Sequence, residues 1–148
     1  MSNLNNEYIV KLIGITINPL RMIIEYCIEG DLEQIIRNGK LGENEMDENW
    51  KDKERNEISK IKWKMILDIA KGMNYLHNEN NIAIAHRDLR SANILVLSLN
   101  EESKVCCKIG DFGLSLKVGE ELKYGQGCWE WMVLYLLFIN KKIKIKLN

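Results

Sequence analysis

His86-Arg87-Asp88-Leu89-Arg90-Ser91-Ala92-Asn93, with Asp111-Phe112-Gly113 following it, is the stretch from which the rest of this chain is read. Asp88 and Asn93, five positions apart on one loop, can supply a carboxylate that orients an attacking hydroxyl and an oxygen ligand for Mg²⁺. A second aspartate, Asp111, delivered by a neighbouring strand, can hold the metal from the other side. These are the requirements of phosphoryl transfer, which asks a protein for positioning and charge more than for covalent chemistry. Between the two motifs lie two short apolar runs, Ile94 to Leu99 and Val105 to Ile109, separated by the polar Asn100-Glu101-Glu102-Ser103. Apolar runs around a polar turn predict a hairpin, which would set Asn93 beside Asp111.

The pattern H-R-D-L-x-x-x-N followed by D-F-G is the protein-kinase signature, and on these two motifs the chain resembles the protein kinase family. The resemblance implies ATP and Mg²⁺ as cofactors and a protein as substrate. It makes Asp88 the catalytic base, with Arg90 and Asn93 beside it in the catalytic loop, and it makes Asn93 and Asp111 the metal ligands. Ile24 becomes the gatekeeper before the hinge, the backbone of Glu25 and Cys27 would hydrogen-bond adenine, Asp31 would lie beside the ribose, and Leu95 beneath the base. Nothing in the side chains of 24–27 themselves recognises a purine. Arg87 would receive a phosphate on the activation segment, and Leu12, His86 and Phe112 resemble members of the apolar stack that links the two lobes. Arg90-Ser91-Ala92-Asn93 looks like the tyrosine-kinase-like group, most of whose members modify Ser or Thr, so the expected substrate leans to Ser/Thr over Tyr.

Taken in order, Tyr8 to Ile17 and Arg21 to Cys27 are β-branched-rich runs around Asn18-Pro19, which predicts an antiparallel pair. Gly30-Asp31 opens a short helix, Leu32 to Arg37, with Asp31 suited to be its N-cap. Asn38 to Glu57 is rich in Gly, Asn, Glu, Asp and Lys and reads as an exposed loop or a disordered insert. From Ile58 to His77 the period becomes helical. Ile66, Ile69, Ala70, Met73 and Leu76 form the predicted buried face, Trp63 and Met65 read as ordinary helix packing, and Asn78 to Asn81 ends the helix.

The 148 residues suit one domain, and Lys+Arg equals Asp+Glu at 21 each, so charge offers no case for nucleic acid or an acidic membrane as partner. The four cysteines have no metal-ligand spacing, and the N-terminus shows no basic and apolar leader pattern, so free thiols and a cytoplasmic setting are expected. Neither a Gly-rich phosphate loop nor a V-A-I-K lysine occurs, and the approach to A-P-E at Trp129-Glu130-Trp131-Met132 gives way to Val133-Leu134-Tyr135. The resemblance therefore covers 8–132, with a non-kinase tail at 133–148 that is too short in apolar residues for the roughly 20 of a membrane span. The expected architecture is an α/β (α+β) protein-kinase-like fold in part: a strand remnant of the N-lobe, the hinge, and the front of a helical C-lobe. Three readings stay open from the residues: a protein kinase completed by a partner or longer isoform, a catalytically dead nucleotide-binding or scaffold module, and a fragment without function of its own.

Overall fold

A computed structural model describes residues 4–42, 52–79 and 83–117, the helix start at 52–59 in its backbone only. The acidic run at 43–48, the activation segment beyond residue 117, the A-P-E approach and the 133–148 tail lie outside the described residues. So do residues 80 and 81 of the expected helix breaker.

β1 (Leu12–Ile17) and β2 (Leu20–Ile24) form an antiparallel hairpin around the Asn18-Pro19 turn, with a register shift between Leu12 and Gly14. The first strand is shorter than its apolar run because Tyr8 to Val10 pairs elsewhere. Ile109 N–H donates to Tyr8 O and Val10 N–H to Ile109 O, both at 2.9 Å, so this segment bridges to a different sheet. That sheet runs β3 (Gly30–Asp31), β5 (Ile94–Val96), β6 (Cys107–Ile109), all antiparallel. The 94–99 and 105–109 hairpin is present, but its paired strands are shorter than predicted. Leu97 and Ser98 both direct their N–H groups to Cys106 O, which ends the regular ladder. Two short strands not visible as patterns, β4 (Ile84–Ala85) and β7 (Leu116–Lys117), pair antiparallel and tie the chain before His86 to the chain after Gly113.

α1 (Leu32–Arg37) begins as the sequence indicates, with Asp31 Oδ1 accepting the Gln34 N–H at 2.8 Å. The long helix α2 (Asp52–Asn74) starts earlier than expected and continues into a π-helical turn at Tyr75–Glu79. Its first turns are charged helix formers from inside the segment assigned to a loop; apolar periodicity begins only at Ile58, so the pattern hid them.

The buried face of α2 agrees with the prediction at Leu76, with Ile69 and Met73 packed against the core, and differs at Ile66 and Ala70. Ile61, Met65, Asp68, Gly72 and Leu76 are buried, while Ile66 is 54% exposed and Ala70 faces solvent. Trp63, expected to pack, is 69% exposed. The reason is that two of the buried positions are not apolar. Asp68 Oδ2 accepts the N–H groups of Cys106 (2.7 Å) and Cys107 (3.4 Å) at the start of β6, and its Oδ1 pairs with Lys64. Gly72 lets the helix approach so closely that a Cβ there would stand 2.9 Å from Ile109 Cδ1 and 3.1 Å from Tyr8 O. Around these contacts Ile9, Ile35, Leu76, Val96, Cys107 and Ile109 form the core. No helix among the described residues is long and apolar enough to cross a membrane.

Candidate active site

The catalytic-loop stretch folds as a bend followed by a 3₁₀ turn at Ser91–Asn93 that feeds directly into β5. Arg87 takes a left-handed backbone (φ 69°), which turns the loop so that His86 is buried while Asp88 emerges half-buried. His86 Nε2 lies 2.8 Å from Gly110 O, and its Nδ1 accepts the Asp88 N–H at 3.3 Å. An accepting Nδ1 leaves Nε2 as the donor, which fixes the neutral tautomer. Burial lowers the His86 pKa, outweighing the Gly110 carbonyl and the Asp88 and Asp111 carboxylates, which pull it upward. The ring also meets Phe112 at 4.9 Å between centroids, so the first motif touches the second through a ring contact and the residue just before it, Gly110, through a hydrogen bond.

Asn93 Nδ2 donates to Asp88 O and to Asp88 Oδ2, each at 2.8 Å. With the amide nitrogen so engaged, the acceptors this pair leaves over are Asn93 Oδ1 and Asp88 Oδ1. Gly110 N–H donates to Asn93 O at 2.8 Å, which brings the end of β6 against the start of β5 and sets Asp111 next to Asn93. Asp111 has φ 51°, and its Oδ1 accepts the Gly113 N–H at 3.1 Å, so its carboxylate is turned and held by its own motif.

A cavity of about 350 Å³ opens between the β1–β2 hairpin and this cluster. Ile24 and Leu95 line its apolar part together with Val10 and Met22, and Asn93 and Asp111 line the polar part. Of the residues singled out in the sequence, Leu12, Ile24, Asn93, Leu95, Asp111 and Phe112 share one space. Glu25, Cys27, Asp31, Asp88 and Arg90 do not line it. Asp31 sits directly across the β3–β5 pairing from Leu95 and caps α1. Arg90 reaches Glu33 of α1 at 3.4 Å, an exposed contact worth little in stability. Cys27 is buried, and that burial, with the Glu25 carboxylate adding to it, pushes its thiol pKa up.

The donor set suits a hard cation. A carboxylate and an amide oxygen at one cavity end are oxygen ligands, and among the described residues no cluster of three or more His, Cys, Asp or Glu side chains offers a closed metal cage. Two protein ligands alone suit Mg²⁺, which keeps waters and takes phosphate oxygens to complete its shell. The apolar part is of a size and character to accept a flat base.

Three residues of this region carry no signal in the motifs. Val10 and Met22 line the cavity from strands read only as β-branched runs, and Lys108 turns its amine to the Glu25 carboxylate. For Lys108 the available signal was a lysine in the middle of an otherwise apolar strand, Cys107-Lys108-Ile109.

A sequence model of the family described as protein tyrosine and serine/threonine kinase matches residues 1–136. The chain belongs to this family. The probable serine/threonine-protein kinase qkgA of Dictyostelium discoideum is 42% identical over 136 residues, which is 89% of this chain and 8% of that protein. The serine/threonine-protein kinase CTR1 of Arabidopsis thaliana is 39% identical over 137 residues, covering 89% of this chain and 14% of the relative. A mitogen-activated protein kinase kinase kinase of Drosophila melanogaster is 33% identical over 134 residues, 87% of this chain and 10% of its own length. The chain thus spans only a small part of each of these relatives.

Proposed function

We propose that this chain carries the catalytic-loop and metal-holding part of an ATP-dependent kinase that phosphorylates Ser or Thr of a protein substrate. The observation that carries the reading is the Asn93 amide clamped on Asp88 with Asp111 held alongside by the Gly110–Asn93 backbone bond. Asp88 accepts the proton of the substrate hydroxyl as its oxygen bonds to the γ-phosphorus of ATP, and the bond from that phosphorus to the β–γ bridging oxygen breaks, releasing ADP. Mg²⁺, held by Asn93 Oδ1 and Asp111, would supply charge neutralisation at the phosphates. Ile24 and Leu95 enclose the base, and the hinge backbone at Glu25 and Cys27 meets its edge, with Asp31 near the ribose.

The Ser/Thr choice rests on the serine/threonine kinases among the relatives together with Arg90-Ser91-Ala92-Asn93. A phosphate-covering loop and a phosphate-binding lysine come from a longer form of the protein or from a partner, as the small share of each relative covered by this chain supports. The test is Mg²⁺-dependent binding of ATP to the chain, followed, in a longer form that carries the phosphate-covering loop and lysine, by transfer of labelled γ-phosphate to a mixed protein substrate with phosphoamino-acid identification. Phosphoserine or phosphothreonine that vanishes with Asp88→Asn is expected. Binding without transfer would reduce the chain to a nucleotide-binding module, and no Mg²⁺-dependent binding would overturn the reading.

A further inference from the structure

One junction beside the nucleotide site has no part in the roles assigned above. Lys108 Nζ donates to both carboxylate oxygens of Glu25, at 2.8 and 2.7 Å. Glu25 Oε1 also accepts the Lys11 N–H at 2.6 Å, and Glu25 N–H returns to Lys11 O at 3.0 Å. The first hinge residue is therefore tied at once to the residue preceding β1 and to the middle of β6. The two side chains are only 13% and 23% exposed, so water screens this pair less than an ordinary surface bridge.

The position of Lys108 in the sheet gives the junction its meaning. Lys108 is paired across the β5–β6 ladder with Leu95, so the two side chains stand on the same face, and Leu95 lines the cavity. Asp111 follows three residues later on the same chain segment. A single amine thus connects the hinge to the strand pair that carries both the apolar floor and the metal end. At the hinge itself, Glu25 N–H is used by Lys11 and Cys27 O by the Gly30 N–H at 3.2 Å. Which way the remaining backbone groups point is set by how firmly Glu25 is held.

We propose that Lys108 is a positioning residue that acts through Glu25: it fixes the hinge backbone over the β5–β6 sheet and thereby sets affinity for the adenine base. The role rests on the nucleotide reading given above and deepens it. The phosphate end is outside its reach, because the Asn93–Gly110 backbone bond and the Asn93–Asp88 clamp are made without Glu25 or Lys108.

The experiment compares the full chain with Lys108→Met and Lys108→Arg. Three quantities are read: affinity for adenosine, affinity for Mg²⁺ with tripolyphosphate, and amide exchange at Lys11 and 25–30. Lys108→Met weakens adenosine roughly tenfold, in the range of typical coupling between sites, leaves tripolyphosphate unchanged, and speeds exchange at Lys11 and the hinge. Lys108→Arg restores both, because a guanidinium keeps a bidentate grip on the carboxylate. If Lys108→Met does not fold, Glu25→Gln carries the same comparison, since it removes the charge but keeps an oxygen for Lys11. Equal losses of adenosine and tripolyphosphate would show a merely structural pair and overturn the proposal. Wild-type adenosine binding that is indifferent to these changes overturns the positioning role alone. No adenosine binding by the wild type overturns it together with the nucleotide reading.

Discussion

The side-chain amide of Asn93 holds Asp88 twice, through the backbone carbonyl and through Oδ2, both at 2.8 Å. The same asparagine lines the cavity with Asp111. One amide is thus divided between two uses: its nitrogen is spent on Asp88, and its oxygen is left as an acceptor beside Asp111.

That division separates two substitutions in any form of the protein that transfers phosphate. Asp88→Asn keeps the size of the side chain but removes the carboxylate, and the rate should fall by roughly 10²–10⁴-fold, the usual worth of a general base. Asp111→Asn should instead weaken Mg²⁺ retention, because a charged ligand becomes neutral. Phosphate transfer measured against Mg²⁺ concentration should show partial rescue of Asp111→Asn and none of Asp88→Asn.

His86 gives the fold a pH dependence of known sign. Its pKa in the folded chain lies below the ordinary 6.5, with burial the leading cause. The unfolded chain therefore takes up the proton first. The stability is full above about 6.5, declines as the pH drops below that value, and levels off once folded His86 is also protonated. Urea midpoints at pH 7.5 and pH 5 should differ more for the wild type than for His86→Gln. Equal pH dependence in the two would contradict the assignment.

Gly72→Ala sets two effects of known size against each other. Alanine gains about 1 kcal/mol of helix propensity over glycine. The added methyl would sit 2.9 Å from Ile109 Cδ1 and 3.1 Å from the Tyr8 carbonyl oxygen, and backbone cannot retreat as a side-chain tip can. Overpacking costs roughly 1–3 kcal/mol, so the net change should be destabilising, by about 1 kcal/mol in a urea titration. A more stable variant would mean that the helix and the Tyr8 segment are not in close contact.

The outer side of α2 presents Trp63 (69% exposed), Ile66 and Leu67, and the β1–β2 hairpin presents Ile13, Ile15, Ile17 and Leu20. Apolar surface of this extent favours association. Light scattering of the isolated chain should show concentration-dependent assembly, and Ile66→Lys with Leu67→Glu should reduce it without lowering the urea midpoint. A monodisperse wild-type monomer would be the contrary result.

The catalytic loop was legible because its chemistry needs fixed residue types at fixed spacing, so Asp88, Asn93 and Asp111 could be placed together before any coordinates. The buried side of α2 was legible only in part, at Ile69, Met73 and Leu76. Apolar periodicity picked Ile66 and Ala70, while the helix turns inward on Asp68 and Gly72, one chosen for hydrogen bonds to β6 and the other for the absence of a side chain. α2 carries apolar residues on two sides, and a period alone cannot say which of them the rest of the chain covers. The Lys108–Glu25 pair was invisible for a related reason: its partners are 83 positions apart, and nothing local to either residue announces the other. The β4–β7 pair is only two residues long in each strand, too short to register as a pattern.

The 2.8 Å bond from the Gly110 N–H to the Asn93 carbonyl has a consequence for how this site responds to sequence change. The approach of the 110–111 segment to residue 93 is written in main-chain atoms, which every residue type but proline supplies alike. Side chains at 93 and 111 can be exchanged without removing either atom of that bond. Drift in this part of the molecule would therefore silence the chemistry long before it disturbs the shape, and a chain that has lost its reaction would keep the outline of one that still performs it.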